Sequence, residues 1–560
     1  MWGAASFSAK SLLDAFASSP SSLLVLLCAI AAGWYICAPS EQLRVLSALP
    51  RPKSTLPVLG NTLDLMFRQR DRFHDWITEE CKRQKGKPWL LTAIGRPPSI
   101  VVSTVDAFED VLSKQFKTFE KGPLGRAISE DLFGKGIFSS DGVNWMHQRK
   151  TASHLFSLQM TRDIMERVVL EETANVCNIL DAACESHEQV EFKDLVDYFS
   201  TDVFVRIGFG VDLGCLKNEQ EPEFFRAFSR CSAVIGHRIH QPMWLWQLKR
   251  FLDVGIEKQF KKDIKLVNDK IYEVIDKSMA INAAANKNRG DGATMPPTKD
   301  LISLFLEKEC NEYKDGDETV RVETTPQLIR DIALNFIGAG RGTTAYSFSW
   351  FIVMMNRYPD VMKKVRAELQ TVLPELCQGT KKIPTVEDVK KLVYLEAALK
   401  ESLRLNPPGP ANARTANQDT TLNDGTFIKA GTRVLLPTYA LSRMSWVWGD
   451  DACEYKPERW IDPATGKLFV VSPYKFMAFH AGPRLCLGIK LAMMELKIVL
   501  ATMLSRYELK ITQNPFEISY ATSIVLPIKG HLYVNVAHAN SAKTSASPGP
   551  VDSAVGAGGA

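Results

Sequence analysis

The sequence predicts a mainly α-helical fold with a small β region and an N-terminal transmembrane helix. The helical pattern between Thr325 and Tyr358 is unusually long, another helix follows Cys486, and an uncharged apolar run occupies residues 22–38. At 560 residues and 45% hydrophobic content, the chain can bury a large core. Its net charge of +5 includes no long basic run, so nucleic acid is not an expected partner.

The apolar run at residues 22–38 predicts a single membrane anchor. It lies at the short end of the roughly 17–25 residues that span a bilayer, and Trp34 and Tyr35 stand near its end, where aromatic rings favour the headgroups. A cleaved signal peptide is the alternative, because small residues follow the run. More basic than acidic residues follow it, which predicts a lumenal segment at residues 1–21 and a cytosolic remainder.

The remaining boundaries follow from composition. Residues 39–60 contain three prolines in their second half, which cannot continue a helix, and they predict a stiff hinge. Residues 540–560 are small and polar, and they predict a disordered tail. Since no linker interrupts residues 61–539, we expect one globular body there.

The longest helix has clear boundary signals. Thr325 is a typical N-cap, and Pro326 suits the first helical position because its missing N–H costs nothing there. Pro359 stops the helix after a rod of roughly 50 Å. The strand-like stretches Arg433–Pro437 and Ser523–Leu526 predict the minor sheet component.

Cys486 stands out among eleven scattered cysteines, which form no CxxC pair and so predict neither a disulfide framework nor a zinc site. It lies at the start of a predicted helix, where the dipole favours a thiolate. Gly482 and Gly488 allow a tight loop and a close approach of the backbone. A structural cysteine before a core helix is the alternative for Cys486 alone. The apolar residues that share one face of the helix are Ile489, Ala492, Met493, Leu496, Val499, Leu500 and Met503.

The segment from Phe479 to Gly488 matches in full the pattern FxxGxRxCxG, the cysteine-ligand loop of cytochromes P-450. The sequence resembles this family from about residue 50 to 535. The resemblance implies the cytochrome P-450 fold, with residues 61–539 as the catalytic domain. It also implies heme b, with Cys486 as axial iron ligand. The heme-binding residues that it implies in this loop are Phe479, Gly482, Arg484 and Gly488.

Two further motifs resemble the family's pattern. Glu401 and Arg404 match its ExxR pair, and Arg459 in the PERW stretch completes a buried network that holds the ligand loop. Trp145 and Arg149 match WxxxR, whose side chains reach a heme propionate, and they lie on one helical face. Taken alone, either pair also fits an ordinary surface helix. Arg414, after the NPPGP turn, is a further propionate candidate.

The long helix carries Ala339-Gly-Arg-Gly-Thr-Thr344, which resembles the family's (A/G)GxxT. Gly340 is expected to leave room for oxygen, and Thr343 to donate a hydrogen bond there and carry protons. Gly342 stands where the family often has an acid. We therefore expect Thr343, Thr344 and water to form the proton relay, with poorer coupling of oxygen to product. A flexible spot in a buried helix is the alternative, at about 1 kcal/mol for each glycine.

Several stretches resemble the fatty-acid ω-hydroxylase branch of plants and fungi. Leu132 to Gly142 is similar to the branch's LGDGIFNSDG, and residues 423–431, 448–451 and 525–530 also fit. Because Ala339 replaces the glutamate of the animal enzymes, no covalent heme ester is expected. Side chains that would line an apolar channel, or alternatively pack as ordinary core, are Phe133, Phe138, Ala339, Ile524, Val525 and Leu526.

The resemblance implies terminal hydroxylation of fatty acids by an enzyme anchored once in the endoplasmic reticulum membrane, with its catalytic domain in the cytosol. Electrons would come from NADPH through a flavoprotein reductase, with a cytochrome b-type protein as a second candidate donor. Lys150, Lys490 and Lys497 are candidate contacts for the reductase, or simply solvated. The alternatives are oxidation of alkanes or sterols, reductase-independent isomerisation or dehydration of hydroperoxides, and a heme sensor or inactive relative.

Overall fold

The computed structural model describes residues 40–157, 164–219, 222–287, 300–307, 310–315 and 318–539. The predicted anchor at residues 22–38 and the predicted tail at residues 540–560 lie outside these ranges. Within them, every helix is too short or too polar to cross a membrane.

α-Helices form most of the described chain, as the sequence predicts. They are α1 (Glu41–Val45), α2 (Phe73–Arg83), α3 (Val105–Glu109), α4 (Gly122–Phe133), α5 (Gly142–Ser153), α6 (Glu166–Ser186), α7 (Phe192–Phe209), α8 (Cys215–Asn218), α9 (Glu223–Ile239), α10 (Met243–Phe251), α11 (Gly255–Lys287), α12 (Leu301–Leu306), α13 (Pro326–Arg357), α14 (Pro359–Val372), α15 (Pro374–Cys377), α16 (Val386–Val389), α17 (Val393–Leu405), α18 (Thr438–Leu441), α19 (Ser445–Trp448) and α20 (Ile489–Arg506). The largest hydrophobic cluster gathers around α7, α13 and α20.

The strands are few and short. They are β1 (Trp89–Leu91), β2 (Ser99–Val101), β3 (Phe119–Glu120), β4 (Val190–Glu191), β5 (Cys310–Asp315), β6 (Glu318–Glu323), β7 (Asn412–Ala416), β8 (Thr420–Thr421), β9 (Phe427–Ile428), β10 (Arg433–Leu436), β11 (Tyr507–Ile511) and β12 (Tyr533–His538). The main sheet has the order β1-β2-β10-β7-β3, and a second sheet has the order β11-β12-β4. In the main sheet, β10 runs parallel to β2 and antiparallel to β7.

The long helix is confirmed at both ends. The Thr325 side chain accepts a hydrogen bond from the Leu328 N–H, and Pro326 occupies the first turn of α13. Pro359 begins α14 directly afterwards. Because α13 is buried along most of its length, its packing against α7 and α20 fixes the centre of the domain.

One of the two predicted strands is wrong. Strand β10 confirms the first, but Ser523–Leu526 forms a turn rather than a strand. The Leu526 N–H donates to the Pro408 carbonyl at 3.1 Å, and its own carbonyl accepts from Trp350 Nε1 at 2.8 Å. Both backbone groups therefore have partners outside any sheet, which explains the irregular conformation.

Residues 40–60, which the sequence predicts as a stiff hinge, make contacts with the globular body. Leu46 is 2% exposed and belongs to the same hydrophobic cluster as Leu90 in β1. Gln42 Nε2 donates to the Ala430 carbonyl at 3.1 Å, and the Pro50 carbonyl accepts from the Leu90 N–H at 2.9 Å. The predicted boundary at residue 61 is therefore too late, because the apolar side chains before the prolines find a core to enter.

Helix α20 is buried on all sides, not on one face as predicted. From Met494 to Leu504 every residue is buried, including two charged ones. The Lys497 ammonium pairs with Glu396 Oε2 at 2.6 Å and is 7% exposed, so Lys497 is excluded from contact with a reductase. The polar positions that gave the helix its amphipathic pattern are paired inside the protein.

A buried carboxylate joins α17 to the stretch that follows α19. Glu401 accepts hydrogen bonds from Arg404 Nε at 2.8 Å and from Arg459 Nε at 2.8 Å. It also accepts from Trp460 Nε1 and from the Lys456 N–H, each at 2.9 Å. One carboxylate thus holds two guanidinium groups and fixes the PERW stretch against α17, in the arrangement expected from the ExxR motif.

We expect Glu401→Gln to lower the free energy of unfolding by about 3–5 kcal/mol, because two buried cations would then face a neutral amide. Urea unfolding of the full chain, followed by circular dichroism, measures the change. Glu458→Gln is the matched control, since Glu458 pairs with exposed Lys364 and its loss should cost less than about 1 kcal/mol. Equal losses in the two variants would contradict the role assigned to Glu401.

A second buried acid lies between α13 and α20. Glu495 is 3% exposed, and burial raises its pKa to about 8, although a hydrogen bond from Thr344 acts in the opposite direction. Between about pH 4.5 and 8 the folded protein therefore keeps a proton that the unfolded chain has released. The unfolded state binds fewer protons in this window, so stability falls as the pH rises through it.

In Glu495→Gln this component of the pH dependence should be absent. We expect the variant to gain stability relative to the wild type between about pH 5 and 8, by a few kcal/mol at the upper end. Melting temperatures of both proteins across this range provide the measurement. Parallel curves would show that Glu495 titrates normally.

Candidate active site

The loop before α20 places Cys486 through its own backbone. The Cys486 N–H donates to the Phe479 carbonyl at 2.9 Å, and Gly488 is the N-cap of α20. Gly482 has a φ of +65°, and a Cβ there would lie 2.5 Å from the Leu112 carbonyl oxygen. Gly482 is thus required by contact with the protein backbone, whereas a Cβ on Gly488 would meet only ordinary contacts.

A chain of aromatic contacts connects this loop to the Glu401 network. The Trp460 ring, bonded to Glu401, lies 4.8 Å from the Phe476 ring, and Phe476 lies 6.3 Å from Phe479. Because Phe479 accepts the Cys486 N–H, the position of the sulfur depends on the buried carboxylate. The network acts on the loop without touching it.

Burial raises the pKa of the Cys486 thiol, while the Gly488 N–H and the Arg149 cation lower it. Burial therefore opposes the preference for a thiolate that we expect at the helix start. A thiolate here needs a coordinated cation, since a thiol that coordinates a metal is deprotonated.

Three buried cations gather around one carboxylate beside the loop. Arg484 donates to Asp141 Oδ1 at 2.6 Å and stacks over Trp145 at 4.6 Å. Arg414 approaches His480 Nε2 at 3.3 Å, and the Lys121 N–H donates to Asp141 Oδ2 at 3.0 Å. Burial lowers the pKa of Arg414 to about 9 and that of Arg484 to about 10, and it lowers that of Lys121 strongly.

This set of donors fits a heme. Arg414 and Arg484 provide buried positive charge beside the loop, which suits the propionates of a heme. A sulfur ligand lies in the same loop as Arg484. Arg149 is half-buried, and its charge acts on Cys486. Sequence reasoning missed Lys121, because a single lysine between strand β3 and α4 gives no periodic or motif signal.

The glycine at position 340 serves helix packing. A Cβ on Gly340 would lie 1.9 Å from the Phe204 ring of α7, so this glycine lets α7 approach α13. The expected role of Gly340 in making room for oxygen is therefore wrong. Thr343 Oγ1 donates to the Ala339 carbonyl at 2.5 Å, and both residues are half-buried.

The Thr344 side chain is directed toward α20. It is 5% exposed and bonds to Glu495 of α20. The structure thus separates Thr343 and Thr344, which we expected to share one proton relay. Among the described residues, it also shows no contact between Thr343 and the cations around Asp141. Sequence reasoning missed Glu495, because it lies inside an apolar helical pattern that predicted an exposed polar face.

Aromatic side chains border α13 on the side of Gly338. A Cβ there would lie 3.1 Å from Phe228 and 3.2 Å from Phe133, and the Phe133 and Phe138 rings are 5.9 Å apart. The segment from Leu132 to Gly142 is tied to α13, since the Phe138 N–H donates to the Asn335 side chain at 3.0 Å. The motif of the ω-hydroxylase branch therefore borders the central helix.

Two of the predicted channel residues, Ile524 and Leu526, lie in different surroundings. Ile524 lines a cavity between the main sheet, α2 and the end of α9. Leu526 is fully buried in the core, where its backbone fixes the turn, so it is ordinary core. The same cavity contains Arg96 and Arg433, which the sequence did not single out because isolated arginines are usually solvated.

Comparison with known proteins agrees with this geometry. The chain matches the family described as Cytochrome P450 over residues 50–534. It is 33% identical over 488 residues to Cytochrome P450 704C1 of Pinus taeda, covering 84% of this chain and 89% of that one. It is 32% identical over 510 residues to Cytochrome P450 704B1 of Arabidopsis thaliana, covering 86% and 94%.

A third relative, Cytochrome P450 CYP94D108 of Paris polyphylla, is 31% identical over 489 residues, which cover 86% of this chain and 92% of the relative. These matches span nearly the whole described body, including the cysteine loop, the Glu401 network and the long helix. The chain belongs to the cytochrome P450 monooxygenase family.

Proposed function

We propose that this P450 hydroxylates the terminal carbon of fatty acids. The observation that carries the proposal is the aromatic border of α13, where Phe133 and Phe228 pack against Gly338, five residues before Thr343, and Phe138 packs against Phe133. Apolar side chains at this point favour a long hydrocarbon chain, and bulky rings favour entry of its narrow end. The plant relatives and the Leu132–Gly142 motif support the same branch.

The heme-binding roles of the loop residues are part of the proposal. Cys486 would be the axial ligand, and Arg414, Arg484 and Lys121 would neutralise the propionates. Trp145 would support Arg484 through its ring. When bound, heme b supplies the oxygen chemistry that inserts one oxygen atom into a C–H bond.

Thr343 is the proposed proton-handling residue. Its hydroxyl donates to the Ala339 carbonyl, so its oxygen lone pairs remain free to accept a hydrogen bond and pass a proton on. Since Gly342 provides no carboxyl group, water would have to bring the proton to Thr343 Oγ1. The position of Thr344 against Glu495 leaves Thr343 as the hydroxyl on this face.

The partners follow from the same proposal. NADPH would supply electrons through a membrane-bound flavoprotein reductase, with a cytochrome b-type donor as a second source. Lys150 and Lys490 are exposed and suit contact with an acidic surface. The endoplasmic reticulum membrane is the proposed location, with residues 22–38 as the anchor.

Membranes that contain the full-length protein, a P450 reductase and NADPH should convert saturated fatty acids to terminal hydroxy acids, detected by mass spectrometry. Cys486→Ala should abolish the product, because the sulfur ligand is lost. Cys453→Ala, which removes an exposed cysteine outside the loop, should retain it. If a heme-loaded, reducible wild type oxidised no fatty acid, the substrate assignment would be wrong.

Restoring an acid at position 342 should improve coupling. A Cβ there meets only the Tyr346 ring at 3.3 Å, so an aspartate fits after a small shift of that ring. We expect Gly342→Asp to lower hydrogen peroxide released per NADPH consumed by about tenfold, within the range of acid catalysis. Gly342→Asn has the same shape without the proton and should not. An unchanged peroxide yield in the aspartate variant, or an equal drop in both, would refute the missing-acid explanation.

A further inference from the structure

The cavity between the main sheet, α2 and the end of α9 has an unusual charge. Its walls include the side chains of Arg96, Arg433, His74 and His240, and no aspartate or glutamate lines it. Burial lowers the pKa of both histidines to about 3, so they are neutral. The two arginines therefore give the cavity a net positive charge that no acidic side chain of its wall balances.

Arg433 lies on β10, opposite Ser99 of β2 in the parallel register. Two positions further along the strand, Leu435 lines the same cavity, as expected for side chains on one face of a strand. Among the residues that the structure describes, no group forms a hydrogen bond or ion pair with the half-buried Arg433 guanidinium. Burial alone lowers its pKa, to about 10, so it is a cation at neutral pH.

Arg96 strengthens the positive field. Its guanidinium donates to the backbone carbonyls of Arg238, Ile239 and Gln241, which satisfy its N–H groups but do not neutralise its charge. Burial and the nearby charge of Arg433 together lower the pKa of Arg96 to about 9, so the two cations lie close enough to repel each other. A nearby pair of like charges is stabilised by an anion between them.

A polar atom of His240 also indicates that this cavity binds a ligand. Its Nδ1 is buried and has no hydrogen-bond partner among the described residues, although a buried nitrogen of this kind normally has one. The rest of the cavity wall is largely apolar. Its apolar side chains include Leu65, Phe73, Leu91, Leu124, Leu435 and Ile524.

We propose that Arg433, assisted by Arg96, binds the carboxylate of the fatty-acid substrate in this cavity. The inference rests on the proposed function and makes it more specific, since it assigns the acid end of the substrate to a named residue. A guanidinium binds a carboxylate through two parallel hydrogen bonds, and the apolar wall accepts the first methylenes of the chain.

A neutral lipid would not satisfy this cavity. An alcohol or alkane of equal length can fill the apolar wall but leaves the Arg433 charge desolvated and unpaired, which is costly. The cavity should therefore distinguish an acid from the alcohol of the same chain length. Arg433 is the better position for a test than Arg96, because Arg96 holds the end of α9 through three carbonyls and its loss would disturb the fold.

The test compares the dissociation constants of palmitic acid and cetyl alcohol, measured by titrating the heme absorption spectrum of the full-length protein. Arg433→Gln should weaken palmitic acid about ten- to a hundredfold and change cetyl alcohol less than about twofold. Arg433→Lys, which keeps the charge but not the fork, should restore part of the affinity. Lys429→Gln is the control, since this cation pairs with Asp419 and Glu41 outside the cavity.

Equal weakening of acid and alcohol in Arg433→Gln, or no weakening of the acid, would overturn the carboxylate site. These results are separable from the fate of the proposed function. If the wild type hydroxylates palmitic acid and Arg433→Gln binds it unchanged, the anchor is wrong and the reaction stands. If no fatty acid is oxidised but the acid-specific loss of binding occurs, the anchor stands and the assigned reaction is wrong.

Discussion

The buried Glu401 carboxylate is the interaction on which the position of Cys486 depends. It neutralises Arg404 and Arg459 and accepts the Trp460 ring N–H, so the polar groups that meet there are paired. From Trp460 the aromatic contacts continue to the Phe479 carbonyl, which holds the Cys486 amide. Because its hydrogen bonding is complete, the Glu401 carboxylate is held rigidly, and through the aromatic contacts it fixes the loop that contains Cys486.

In two other charged clusters, the positive charges are not balanced by carboxylates. Around Asp141 the cations outnumber the carboxylates, and Arg433 has no partner among the described residues. Proteins leave buried charges unbalanced where a ligand completes them, since the cost is otherwise large. The contrast distinguishes Glu401, whose charge is balanced inside the protein, from the clusters at Asp141 and Arg433, for which we propose binding roles.

The sequence predicted features that depend on local rules and motifs. The ends of α13 follow from Thr325 and Pro326, and the Glu401 network follows from a spaced motif. Prediction from the sequence failed where segments that are distant in the chain contact each other. That Gly340 faces Phe204, that Lys497 pairs with Glu396, and that Leu526 is held by Trp350 all depend on tertiary contacts that no periodicity encodes. Lys121 and Arg433 were missed for the same reason, since a buried cation has no local signature.

The isolation of Arg433 has an evolutionary consequence. Among the described residues no hydrogen bond or ion pair uses its side chain, so exchanging it removes no polar contact. If Arg433 binds the substrate headgroup as proposed, selection can change the accepted headgroup by a single codon, without replacing a polar contact elsewhere. Glu401, which bonds to four other residues, has no such freedom. Diversification of substrates and preservation of the scaffold are thus assigned to different residues of one chain.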